Sequence, residues 1–244
     1  MTDSCLAAHF NHFLDLTKKE EDVLAELEKD PADYGAGETI FHEGDRLTDL
    51  FIVNKGWLAC STMVLDGDRQ VLQLHYAGDV MGTAGIAFEQ AFASAKTLTP
   101  VTLCRFPRKN LDKLFEDHDR LAALLYAIGM MENVVLCDRL KALGRTNAEA
   151  RVANLILSIV SRMRVMSAEP ITEFEMPLTQ VDIADAVGVT PVHVNRTLRI
   201  LENRGLISRI GRTIKLEDEQ RLCETAEYTN RFEKIDTSWF PAPS

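Results

Sequence analysis

"LTQVDIADAVGVTPVHVNRTLRILENRGLISRIGRTIKL", Leu178–Leu216, decides the fold. A first helix is expected from about Gln180 to Val187, capped by Thr179, with Ile183, Ala184 and Val187 turned inward. Gly188 follows, where a positive φ is cheapest. Thr190 is a preferred N-cap, and Pro191 falls at N1, where its missing N–H costs nothing. Projected at about 100° per residue, the second helix buries Val194, Leu198 and Leu201. Its other face carries Val192, Arg196, Arg199 and Asn203, flanked by His193 and Asn195. Between Pro191 and Lys215 stand six basic residues (Arg196, Arg199, Arg204, Arg209, Arg212, Lys215) and one acid, Glu202, a local +5.

That pattern predicts a DNA-binding winged helix-turn-helix. The second helix would lie in a major groove, and "RGLISRIGRTIKL" would form a hairpin wing on flanking phosphates. The candidate DNA contacts are Thr179, Gln180, Thr190, Pro191, Val192, His193, Asn195, Arg196, Arg199 and Arg212. A solvated helix face can also carry arginines. The alternative is therefore a ligand-binding or protein-interaction module whose helix-turn-helix does not bind DNA.

The whole chain opposes this patch. Its 244 residues hold 27 Lys and Arg against 37 Asp and Glu, a net charge of −10, so attraction to nucleic acid must be local. Cys5, Cys60, Cys104, Cys137 and Cys223 are scattered and never spaced as CxxC, which fits small core thiols in a reducing cytoplasm. No basic region followed by an apolar run opens the sequence, and no run of about 18 apolar residues is visible, so neither a signal peptide nor a membrane span is expected. No P-loop, GxSxG or HExxH occurs, and the six histidines are dispersed, so neither catalytic nor metal residues are assigned.

Upstream, residues 10–28 read as helix. From Tyr34 to about Phe106, short β-rich runs alternate with Glu43-Gly44-Asp45, Asp66-Gly67-Asp68 and Ala77-Gly78-Asp79, predicting an antiparallel barrel or roll. A long helical stretch runs from about Lys109 to Leu143. Leu121, Leu124, Ile128, Met131, Val135 and Ala142 follow coiled-coil spacing, interrupted by Asp138, and the first five are the candidate dimerisation residues. Leu125, Leu136, Leu140 and Leu143 form a second apolar stripe. Another helix begins at Thr146 or Asn147, "AEPITEFEMP" reads as a polar connector, and the last 20 or so residues read as a loosely held tail. The expected division is 1–117 sensor, 118–145 dimerisation helix, 146–222 DNA-binding domain and 223–244 tail, in an α+β fold.

"GETIFHEGDRLTDLFIVNKGW" and "AGDVMG", with the stretch above, resemble the Crp/Fnr family of bacterial transcription regulators. The resemblance covers about residues 15–220 and implies a cyclic-nucleotide-binding-like β-roll (a double-stranded β-helix), a dimerising helix and a winged-helix reader. Partners would be double-stranded DNA, a second copy of the chain and RNA polymerase, with no membrane, in the cytoplasm. It places Arg196 at the family's guanine-reading arginine. Four positions earlier, where the family usually has a glutamate accepting from cytosine N4, stands Val192, which can touch only a thymine methyl.

The resemblance also locates an effector pocket at Gly82, Thr83, Ala84, Ser94, Lys96, Leu136 and Cys137. The family's cyclic AMP binders have a glutamate where Thr83 stands, and an Arg-Ser pair where this chain has "EQAFASAKT", with Lys96 its only cation. Burying a phosphate without a matched donor is expensive, so cyclic AMP is not expected. An iron–sulfur cluster needs several closely spaced N-terminal cysteines, and only Cys5 is there. Haem would rest on His75 and Cys60 alone and is not assigned either. A redox role for Cys104 or Cys137 lacks any local cation cluster.

Overall fold

The computed structural model describes residues 4–28, 30–167 and 169–243, and the side chains of Ala84 and Lys113 lie outside the described set. The chain divides into two compact units. The first takes in Val71–Met130 with the described residues up to Met63 and from Lys234 on; the second is Val64–Gln70 and Met131–Glu233.

The first unit opens with α1 (Cys5–Asn11) and α2 (Lys18–Leu27), where a single helix over residues 10–28 is expected from sequence. The break has a local cause: Thr17 accepts from Glu20 N while the Glu20 carboxylate accepts from Thr17 N, a reciprocal cap that starts a new helix. Then come β1 (Pro31–Tyr34), β2 (Thr39–Phe41), β3 (Asp49–Lys55), β4 (Leu58–Met63), β5 (Arg69–His75), β6 (Val80–Met81), α3 (Ala84–Ala87), β7 (Ser94–Thr97) and β8 (Val101–Pro107). The strands form two four-stranded sheets, ordered β1-β8-β3-β6 and β2-β7-β4-β5. This is the expected antiparallel roll. Gly56 makes the β3–β4 turn at φ +90°, and a Cβ there would run into the Pro100 carbonyl, so no other residue fits. Val53, Leu58, Met81, Val101 and Leu103 form one buried cluster, and Phe41, Leu47, Cys60, Ala91, Ala93 and Ala95 another.

A 3-10 turn (Arg108–Asn110) leads into α4 (Leu111–Asp117) and then α5 (Asp119–Arg145). The 27 residues of α5 span about 40 Å. The expected stretch from Lys109 is thus two helices, broken at His118. By length and composition α5 could cross a bilayer, a property overlooked in the sequence because Glu132, Asp138 and Arg139 interrupt its apolar run.

The expected dimerisation residues differ in their burial within the single chain. Leu121 and Leu124 are 0% exposed and Met131 and Ala142 7%, all buried within the chain itself, and Ile128 and Val135 are half-buried beside them. The exposed stripe is the opposite one: Tyr126, Met130, Val134, Leu136, Cys137 and Leu140. A coiled-coil repeat reports that a face is buried, not what buries it.

The second unit holds α6 (Ala148–Val165), β9 (Glu173–Glu175), α7 (Gln180–Val187), α8 (Pro191–Asn203), β10 (Ile207–Ile210), β11 (Thr213–Leu216) and α9 (Glu219–Ala226). Part of the supposed connector is β9, which pairs with β11 and makes the wing a three-stranded sheet, β10-β11-β9. The tail is held at its start: Phe232 is buried, the Arg162 guanidinium lies over its ring, and Arg231 pairs with Asp138 at 2.8 Å. That pair explains the acid interrupting the apolar pattern of α5.

Candidate nucleic-acid interface

The helix-turn-helix is locally encoded. The Thr179 hydroxyl accepts from Asp182 N and donates to the Asp182 carboxylate at 2.6 Å, which starts α7. Gly188 ends it in the left-handed region at φ +67°. Thr190 accepts from His193 N at 3.3 Å, and Pro191 follows at N1. α8 then buries Val194, Thr197, Leu198 and Leu201. Thr197 is the member of that face the projection missed.

The outward face of α8 is open. Val192 is 81% exposed, and His193, Arg196, Arg199 and Asn203 are exposed with it, whereas Asn195 is half-buried. Pro191, Thr179 and Gln180 are exposed at the starts of the two helices.

The six cations divide sharply. Arg204 pairs with Glu149, Arg209 with Glu202 at 2.6 Å, and Lys215 with Glu217 at 3.1 Å. Arg212, a candidate phosphate contact, donates to the carbonyls of Met176 and Pro177 and clamps the wing to the chain entering α7. Arg212 is nevertheless exposed, and its charge has no ion pair among the described residues. Arg196 and Arg199 have no ion pair or side-chain hydrogen bond among the described residues. Three of the six cations are thus paired with acids, Arg212 is held by neutral carbonyls alone, and Arg196 and Arg199 stand uncommitted one turn apart on one face.

Sequence reasoning missed one further group. Arg69 pairs with Asp182 and, at 2.7 Å, with Asp185, both on α7, and Gln70 donates to the Asp185 carbonyl. Burial pushes the Asp182 carboxyl up, but hydrogen bonds from Thr179 and Arg69 outweigh it and hold the group below its ordinary value. No spacing signal links Arg69 to residues more than a hundred positions away.

The candidate effector residues are less coherent. Gly82 sits at φ +80°, where a Cβ would come within 3.1 Å of the Asp49 carbonyl; Thr83 is exposed, and the side chain of Ala84 lies outside the described residues. Ser94 Oγ accepts from Glu43 N at 2.9 Å, and Lys96 points to solvent on β7. Leu136 and Cys137 belong to the second unit and are exposed there. Arg108, which the sequence did not flag, donates to the Gly85 carbonyl. Among the described residues, no group of three or more His, Cys, Asp or Glu could hold a metal ion.

A capped helix pair joined at a left-handed glycine, with free guanidiniums on its second helix and a hairpin wing beside it, defines a DNA-binding winged helix-turn-helix protein. Residues 150–225 match the Crp-like helix-turn-helix domain, and residues 31–118 match the cyclic nucleotide-binding domain. The chain is 30% identical over 211 residues to Electron transport regulator A of Shewanella oneidensis, covering 85% of this chain and 82% of that one. It is 27% identical over 214 residues to the Fumarate and nitrate reduction regulatory protein of Escherichia coli, covering 88% and 85%. The solved structure of FixK2 from Bradyrhizobium japonicum superposes with a TM-score of 0.72 at 26% identity, covering 80% of this chain and 96% of that one. The chain belongs to the Crp/Fnr family and is a DNA-binding transcription regulator.

Proposed function

We propose that the protein works as a cytoplasmic homodimer on a palindromic operator, one α8 in each of two major grooves about 34 Å apart. The observation that carries this is the pair Arg196 and Arg199, un-neutralised on an exposed helix face of an otherwise acidic chain. Arg196 reads a guanine, Val192 meets a thymine methyl, and Arg199 holds a phosphate. Thr179, Gln180 and Thr190 lie where helix N-termini approach the backbone.

The dimer forms through the exposed stripe of α5, from Tyr126 to Leu140. An apolar stripe of that length on a soluble regulator calls for an apolar partner, and a second copy presents the same surface. RNA polymerase is the further partner the family suggests.

The roll holds an effector other than a cyclic nucleotide. No arginine lies between Gly82 and Thr97, Lys96 is exposed, and the Ser94 hydroxyl already accepts a backbone bond. That donor set does not fit a buried cyclic phosphate. Neither haem nor an iron–sulfur cluster is assigned.

Selecting bound duplexes from a random pool tests the assignment. The expected result is a two-fold-symmetric site bound with a log K that falls with log salt. Recovery of no preferred sequence, with binding indifferent to salt, would favour the module whose helix-turn-helix does not bind DNA.

A further inference from the structure

The wing ends on an apolar tip. Ile210 closes β10 and is 83% exposed, and Gly211 and Arg212 turn the chain back into Thr213, its cross-strand partner. A two-residue hairpin loop takes a positive φ at its first position, which Gly211 supplies at +63°. A Cβ on Gly211 would meet nothing within 4 Å, so no described residue crowds the tip.

The strand register fixes which way the tip faces. On the inner side of the wing Ile207 opposes Leu216, and Arg209, Ile214 and Phe174 form the next row. The apolar members are buried, and Arg209 is held there by Glu202. The outer side carries Ser208, Lys215 and Glu173 in one row and Ile210, Thr213 and Glu175 in the other. Glu217 engages both Ser208 and Lys215, and Glu173 and Glu175 are exposed on β9. The outer face of the sheet therefore repels phosphate rather than holding it. At the turn the wing offers an isoleucine, with the Arg212 guanidinium beyond it. Arg212 binds the Met176 and Pro177 carbonyls just ahead of α7, and β9 braces β11, so the tip is held in place against the helix pair.

We propose that Ile210 is a specificity-determining residue of the DNA reader, an apolar wedge in the minor groove beside the half-site that reads how easily the flank deforms. The proposal rests on the assignment of α8 to the major groove. β10 begins at Ile207, just after α8 ends at Asn203, so the wing continues the surface that meets the duplex. Isoleucine has no donor or acceptor and cannot read base edges, but the minor groove carries a degenerate pattern in which that loss matters least. An apolar side chain pressed against a base step favours steps that unstack cheaply, and pyrimidine–purine steps such as TA do so, whereas A-tracts are stiff. The contact displaces no counterion, so it adds selectivity without adding to the salt slope.

The test uses the full-length protein and duplexes with identical selected half-sites, flanked either by TA steps or by A-tracts, in competition titration. Wild type is expected to prefer the TA flanks about fivefold. Ile210→Ala should bind both flanks equally, with its half-site preference and salt slope unchanged, and Ile210→Leu should keep the flank preference. Equal binding of the two flanks by wild type, or an undiminished flank preference in Ile210→Ala, would overturn the proposal. So would an Ile210→Ala variant altered only in transcription, which would make the tip a contact for a protein partner. Absence of any half-site preference in wild type would remove the α8 assignment and this proposal together.

Discussion

Arg196 and Arg199 on α8 and Arg209, Arg212 and Lys215 on the wing are drawn from one short stretch, yet their surroundings differ completely. The first two make no ion pair or side-chain hydrogen bond among the described residues. The wing cations are each committed, to Glu202, to the Met176 and Pro177 carbonyls, and to Glu217. Charge on α8 is available to a ligand; on the wing Arg209 and Lys215 are neutralised by acids and Arg212 is anchored by carbonyls. A similar contrast holds on α5, where one apolar stripe is buried by the chain and the other is left uncovered. A local count of like residues therefore overstates a binding surface wherever the fold supplies the partner.

Several substitutions would sharpen or break that contrast. The largest effect is expected on α5. Met130→Asp combined with Leu140→Asp should give a monomer by sedimentation and weaken operator binding by about 10²–10⁴, the avidity of two half-sites. Leu124→Asp, on the buried stripe, should instead lower the unfolding midpoint. Next, Arg196→Ala should cost about 1–3 kcal/mol of discrimination between operator and scrambled duplex, read by competition titration. Arg212→Ala should leave that discrimination intact and lower stability by about 1 kcal/mol in urea unfolding. Arg199→Ala should weaken all duplexes alike and reduce the salt slope by about 0.9.

The smallest effect concerns pH. The Asp182 carboxyl is held below its ordinary 3.8, so the stability it contributes is present above that value and lost as pH falls through the lowered one. Arg69→Ala removes part of that contribution. The stability gap between wild type and Arg69→Ala, measured in urea, should be wider at pH 7 than below pH 3.8.

The elements closed by local chemistry were legible in the sequence. Thr179, Gly188, Thr190 and Pro191 each act on neighbours within four residues, and the Gly-Asp turns punctuate the roll in the same way. What depends on distant partners was not. Glu149 neutralises Arg204 from 55 positions away, Arg231 explains Asp138 from 93, and β9 becomes a strand only because β11 offers it an edge. The buried and exposed stripes of α5 differ in their neighbours rather than in their apolarity, so spacing alone does not tell them apart. The outward face of α8 was read correctly because a strong cap fixes its phase.

The most direct measurement is a side-by-side titration of wild type, Arg196→Ala and Arg212→Ala, all folded by circular dichroism, against a selected operator and its scrambled counterpart. Arg196→Ala should lose the preference for the operator while Arg212→Ala keeps it. Full preference in Arg196→Ala, or its loss in Arg212→Ala alone, would contradict the assignment of sequence reading to the free guanidiniums of α8.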